Sequence, residues 1–252
     1  MLIDTHCHLD REPLAGQLGA LLDEARAAGI GRWVVPGIRP EHWQGIFDLC
    51  QQVAGALPAF GIHPQASAVA DEDDLARLEQ LACRAVAIGE IGLDRNCADM
   101  ARQEALFREQ LRVARRHGLP VLIHCRGAIG RLMAILKEEH AGQVGGIMHA
   151  FSGSIESAWD AIRLGFAISI AATVTYQGAV RPLQLARGVP LEHLVLETDA
   201  PDLTPQRYRG CFNRPVWLWE TASQLANLRG VELDEVTAVT TATARRILSL
   251  AI

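Results

Sequence analysis

Eight short apolar runs, each followed by a stretch with helical periodicity, recur along a chain of 252 residues, and that rhythm restricts the fold more than any other feature. The runs are 2–6 (LIDTH), 32–37 (RWVVPG), 58–64 (PAFGIHP), 85–94 (AVAIGEIGLD), 119–126 (LPVLIHCR), 145–153 (GGIMHAFSG), 166–171 (FAISIA) and 193–201 (HLVLETDAP). They are continuously apolar rather than alternating, as expected of parallel strands covered on both faces. Between them, Leu14, Leu18, Leu21, Leu22 and Ala25 keep to one helical face over 14–28, and Gly29 supplies a stop. Residues 100–117 set Leu106, Phe107, Leu111 and Ala114 on one side. Further helical patterns cover 41–54, 72–82, 128–140, 155–164, 179–187, 215–228 and 232–249. The last is acidic early and carries Arg245 and Arg246 late, which matches the helix dipole. Eight βα units in this length predict an α/β fold, a single-domain (β/α)8 TIM barrel over residues 1–252. An open doubly wound sheet is the alternative, but no GxGxxG follows the first run, so a dinucleotide site has no support.

Composition narrows the function classes. No apolar run approaches the roughly 18–20 residues of a membrane span. Asp4, His6 and His8 interrupt any secretory h-region, so a cytoplasmic protein is expected. Six scattered cysteines, Cys7, Cys50, Cys83, Cys97, Cys125 and Cys211, form no CxxC and are expected as free thiols. The net charge of -5 gives no global field for a polyanion, so any attraction must be local, from metal ions or a few arginines. Nothing resembles an interface motif, and a monomer is expected.

The ionisable residues are not scattered. His6 and His8 end the first strand, His63 ends the third, Glu90 sits at the end of the fourth, His124 ends the fifth, His149 the sixth and Asp199 the eighth. In a barrel these ends converge on the C-terminal face, where the active site sits. Each residue alone has a bland explanation, as a solvated loop or a satisfied core group; together they form a ligand set. On a strand, His6 and His8 would share a face and Cys7 would turn away as buried filler. Six ligands exceed one tetrahedral zinc and suit two ions, with Glu90 or Asp199 as the bridging carboxylate. Imidazole plus carboxylate suits zinc, manganese or, less well, magnesium. Such a pair of ions clamps a phosphoryl group and activates water, and no GxSxG nucleophile elbow competes.

In order and interval, DTHCHLD, GIHP, GEIGLD, LPVLIHCR, HAFSG and LETDAP resemble the TatD family of metal-dependent deoxyribonucleases, within the amidohydrolase-like barrels. The resemblance runs from residue 2 to about 215. It implies a two-metal phosphodiesterase, a DNA exonuclease or an enzyme trimming 3′ ends of RNA or DNA. By motif, His6, His8, Glu90 and Asp199 would hold one ion, and Glu90, His124 and His149 the second. Asp199 would orient the attacking water or take its proton. His63 would stand near the scissile phosphate as ligand or acid, Arg126 would contact phosphate, and Asp94 and Ser152 would support the ligands from behind. The chain departs from the pattern where Arg95–Ala98 replaces an aromatic pair after GLD, where Gly127 replaces an acid, and where Asn213-Arg214-Pro215 replaces NEP. Those departures keep a second class open: a metal hydrolase of another bond, such as an aminoacyl-tRNA ester, an amide or a lactone. The carboxylated-lysine amidases fit poorly, because the only lysine, Lys137, lies in a helical stretch. A non-enzymatic metal-binding scaffold is a third class, disfavoured because scaffold sites are usually closed.

Overall fold

The computed structural model describes residues 1–251. Its elements alternate as β1 (Leu2–Asp4), α1 (Leu18–Ala27), β2 (Ile30–Pro36), α2 (Trp43–Gln52), β3 (Ala56–Phe60), α3 (Glu72–Leu81), β4 (Ala87–Asp94) and α4 (Met100–His117). The second half follows as β5 (Val121–Arg126), α5 (Ile129–Glu138), β6 (Gly146–Met148), α6 (Ile155–Arg163), β7 (Phe166–Ile170), α7 (Arg181–Gly188), β8 (Leu194–Leu196), α8 (Leu218–Arg229) and α9 (Leu233–Ile247). The strands form one eight-stranded sheet in the order β1 to β8, all neighbours parallel. The seam between β8 and β1 is nearly closed, because the Thr5 N–H donates to Leu196 O at 3.1 Å and the Asp199 N–H to His6 O at 2.9 Å. This is the barrel the alternation predicts.

Two apolar layers hold it. Inside, Ile3, Val34, Ala59, Ala87, Leu122, Ile147, Ala167 and Val195, one from each strand, meet Ala244 and Leu248 of α9. That helix lies across the N-terminal end of the barrel, where Thr243 Oγ1 donates to Glu192 O just ahead of β8. Outside, residues such as Trp33, Phe60, Ile88, Phe107 and Phe166 pack between strands and helices. Burying a large side chain of this kind contributes about 1.5–3 kcal/mol. With one end plugged by α9, the opposite end is left for the βα loops.

Local signals set the helix ends. Asp71 and Asp74 form a reciprocal capping box at α3. Asp99 caps α4 by accepting from the Arg102 N–H, and Gly118 (φ 64°) ends that helix in the left-handed region. Runs 58–64, 145–153 and 193–201 stop being strand earlier than expected, at Phe60, Met148 and Leu196. The residues beyond those points, among them His63, His149 and Asp199, therefore sit on loops. Among the described residues, no helix is long and apolar enough to cross a membrane. All six cysteines are free.

Candidate metal centre

The position of Glu90 comes from an irregularity in β4. Ile88 pairs with Val121 and Ile91 with Ile123, so three steps on β4 match two on β5. Ile88 and Ile91 consequently both pack in the outer layer, although an odd spacing would separate them in a regular strand. Without the extra residue Glu90 would share a face with Ile88 and meet the helices. With it, the carboxylate enters the barrel mouth, 3% exposed. Glycine at 92 is required here: its φ is 146°, and a Cβ would come within 1.9 Å of His124 O.

Around Glu90 the imidazoles divide between its two oxygens. Oε2 lies 3.2 Å from His6 Nε2 and 4.0 Å from His8 Nε2. Oε1 lies 2.9 Å from His124 Nδ1, 3.7 Å from His63 Nε2 and 3.8 Å from His149 Nε2. Asp199 completes the ring, with Oδ1 at 3.5 Å from His8, 3.8 Å from His6 and 3.8 Å from His149. Donor atoms within 4.8 Å of one another form three overlapping groups: His6–His8–Glu90, His6–His149–Asp199 and His63–Glu90–His124. All six expected ligands converge, and His63 stands among them rather than only beside them. All but His6 line a cavity of about 320 Å³ together with Arg11, Ile38, Gln65, Asp94, Arg126 and Asp202.

The donor set fits divalent ions. His6 is buried, and neither ring nitrogen makes a hydrogen bond, since Glu90 Oε2 stands near Nε2 but out of line. A buried imidazole lone pair without a donor is costly unless an ion meets it. Burial lowers the His6 pKa, and the neighbouring His149 charge lowers it further. Burial acts against a charged His149 as well, yet Glu197, Asp199 and Glu90 outweigh it and raise the group to about 10. The two rings stack with centroids 3.5 Å apart, a neutral ring against a cationic one. Glu90 and Asp199 are pushed up by burial, but the surrounding histidines hold both below the usual carboxylate range. Burial takes His63 down to about 4, so it is neutral at ordinary pH.

Behind the ligands stand residues that the sequence reading passed over. Glu197 is fully buried, with Oε1 at 2.9 Å from His149 Nδ1 and accepting from the Ala150 N–H at 2.8 Å. Asp4 accepts from the N–H groups of His6 (3.3 Å) and Thr198 (2.9 Å) and from Thr198 Oγ1, so it ties the His6 segment to the Asp199 loop. Burial raises Asp4 to about 7 despite those bonds. Asn213 donates to Thr198 O at 2.8 Å, which fixes the far side of the same loop. Glu197 and Asp4 both sit inside quoted motifs, and an acid within an apolar strand end is the signal that could have marked them.

Other expectations need correction or confirmation of place. His6 and His8 do not lie on a strand, because β1 ends at Asp4. The Thr5 N–H bonds toward β8 and the Cys7 N–H toward Val34 of β2, opposite edges that a regular strand would not serve two residues apart. Both imidazoles still meet the same carboxylates, and Cys7 is buried in the outer layer as expected. Asp94 does support a ligand, at 3.2 Å from His124 Nε2. Arg126, at the end of β5, lines the cavity mouth. Ser152 supports none: it is exposed and lines a neighbouring pocket with Cys125, Phe151 and Arg181. At Gly127 (φ 71°) the Arg95 side chain occupies the space into which a larger residue would grow.

Comparison with known proteins gives a consistent picture. A family described as TatD related DNase matches residues 3–249. The metal-dependent hydrolase YabD of Bacillus subtilis is 35% identical over 251 residues, 98% of each chain. The 3′-5′ ssDNA/RNA exonuclease TatD of Cronobacter sakazakii is 34% identical, covering 90% of each. The crystal structure of the TatD homologue YjjV from Escherichia coli superposes with a TM-score of 0.95 at 33% identity, covering 99% of this chain and 98% of that one.

Proposed function

The chain belongs to the TatD-related DNase family of metal-dependent hydrolases, and on that footing we propose that it is a two-metal phosphodiesterase trimming DNA or RNA strands from the 3′ end. The observation that carries this reading is the division of Glu90: one carboxylate oxygen faces His6 and His8, the other His63, His124 and His149. A carboxylate so placed would bridge two ions, as a two-metal clamp requires.

When bound, two divalent ions such as zinc, manganese or magnesium neutralise charge on a phosphodiester and make water a nucleophile near neutral pH. His6 and His8 with Asp199 would hold one ion, His124 and His149 the other, and Glu90 would join them. Asp199, kept ionised among three histidines, takes the proton of the attacking water. His63, neutral and beside Glu90, orients the phosphoryl group. Arg126 offers its guanidinium fork to a non-bridging oxygen at the mouth. Glu197 and Asp94 fix the rings of His149 and His124 from behind.

The test is direct. Metal-loaded protein is incubated with a 3′-labelled and a 5′-labelled oligonucleotide and, separately, with an aminoacyl-tRNA. Stepwise shortening from the 3′ end is expected. An intact oligonucleotide beside deacylated tRNA would overturn the phosphodiesterase reading in favour of ester hydrolysis.

A further inference from the structure

The loops after β7 and β8 carry an arginine–aromatic cluster that the reaction outlined above does not use. The Arg209 guanidinium lies 4.9 Å over the Tyr176 ring. Arg207 lies 5.5 Å over Tyr208, which stacks on Trp217 with centroids 4.2 Å apart and 5° between planes. Arg214 sits 5.6 Å over both Phe212 and Trp217.

The cluster is tied to the metal centre by its backbone. The Gln206 N–H donates to Thr175 Oγ1 (2.9 Å) and the Gln177 N–H to Gln206 Oε1 (3.3 Å), which joins the two loops. The Asn213 N–H donates to Pro201 O and its side chain to Thr198 O, on either side of Asp199. The arginines therefore stand on the same face of the barrel as the ligands.

Their partners decide what they are free to do. Arg214 is paired with Glu24 at 3.4 Å. Arg207 is 75% exposed, and its contact with Glu220 is a loose 3.8 Å. Arg209 is exposed and forms no ion pair among the described residues. In a chain of net charge -5, these two cations rest on rings, and neither has an acid closer than 3.8 Å. A guanidinium laid on an aromatic face is held flat, and its N–H edge stays open for the oxygens of a phosphate. Charge and geometry both suit a polyanion.

We propose that Arg207 and Arg209, seated on Tyr208 and Tyr176, form a track for the phosphates of the nucleic-acid strand as it leaves the metal centre. This rests on the phosphodiesterase reading and extends it to backbone contacts beyond the scissile bond. Such contacts are indifferent to sequence and sensitive to salt.

The experiment compares the metal-loaded protein with an Arg207→Ala/Arg209→Ala double variant. Binding of a fluorescent phosphorothioate 12-mer of thymidylate is followed by anisotropy, and turnover of bis(p-nitrophenyl) phosphate is measured alongside. Two lost single-strand contacts reduce the slope of log affinity against log salt by about 1.4, so between 50 and 200 mM salt the parent protein loses about sevenfold more affinity than the variant. Turnover of the small diester is expected to stay within about twofold, because it reaches no phosphate beyond the first. An unchanged slope, or parent protein that does not bind the 12-mer, overturns the track. Equal loss on the small diester also overturns it, by making the arginines part of the reaction or the fold. Failure of the parent to turn over any diester instead strikes the phosphodiesterase reading, and the anisotropy arm then decides the track by itself.

Discussion

Glu197 Oε1 and His149 Nδ1 stand 2.9 Å apart in a place where the carboxylate has no exposed surface. The pairing fixes which nitrogen of His149 is left for an ion and makes that nitrogen a better donor. Glu197→Gln keeps the shape and removes the charge. Metal affinity is expected to fall about 10–100-fold with circular dichroism unchanged. Zinc titration of the variant checks this, and parent-like affinity would leave Glu197 a core acid and nothing more.

Bridging by Glu90 predicts a change in stoichiometry. Metal analysis after dialysis is expected to give about two ions per parent chain and at most one per Glu90→Ala chain. Diester turnover should be abolished in the variant, as it should in parent protein treated with a chelator. Retention of both ions in Glu90→Ala would sink the bridging role.

Asp199→Asn separates ligation from proton transfer. The amide oxygen still binds an ion weakly but accepts no proton, so kcat is expected to fall about 10²–10⁴-fold, well beyond any loss restored by excess metal. If saturating metal returns the variant to parent rates, Asp199 is a ligand alone.

Metal binding should release protons in a pH-dependent way. Burial disfavours the cation at His149, but its three acidic neighbours win and raise the group to about 10, so it is protonated in metal-free protein below that pH. An ion requires the neutral ring, so affinity rises as pH rises toward 10 and each binding event below it displaces a proton. His63, lowered by burial to about 4, is already neutral and releases none. Calorimetry at pH 8 in buffers of different ionisation enthalpy is expected to show about one proton fewer for His149→Ala than for the parent. Equal release in the two proteins would contradict the raised group.

Cys7→Ser is the control for the spacer between the two imidazoles. Cys7 is fully buried in the outer layer, so a hydroxyl there costs about 1–3 kcal/mol in denaturant unfolding while metal content stays at the parent level. Loss of metal in the serine variant would mean that Cys7 faces the centre after all.

The barrel was legible in the sequence because its cause is local. Strands buried on both faces must be continuously apolar, and helices that cover them must carry one apolar stripe. Those two periods gave all eight strands and their helices, with errors mainly at the ends, where loop residues such as His63 and Asp199 continue an apolar run. The ligand set was legible for a similar reason: His, Glu and Asp are out of place after apolar strands, and a barrel brings those places together.

Tertiary structure alone decided how the residues meet. Sequence parity placed His6 and His8 on a strand, whereas the seam with β8 and β2 pulls the chain out of strand geometry after Asp4. Parity also sends Glu90 to the face of Ile88, and only the mismatch against β5 turns it into the mouth. Ser152 shares a motif with His149 yet faces another pocket, while Glu197, just beyond β8 and 47 residues further on than Ala150, closes behind His149. Side-chain identity and period are written residue by residue. Register between strands is a property of two segments at once, and it is register that turned Glu90 into the barrel mouth.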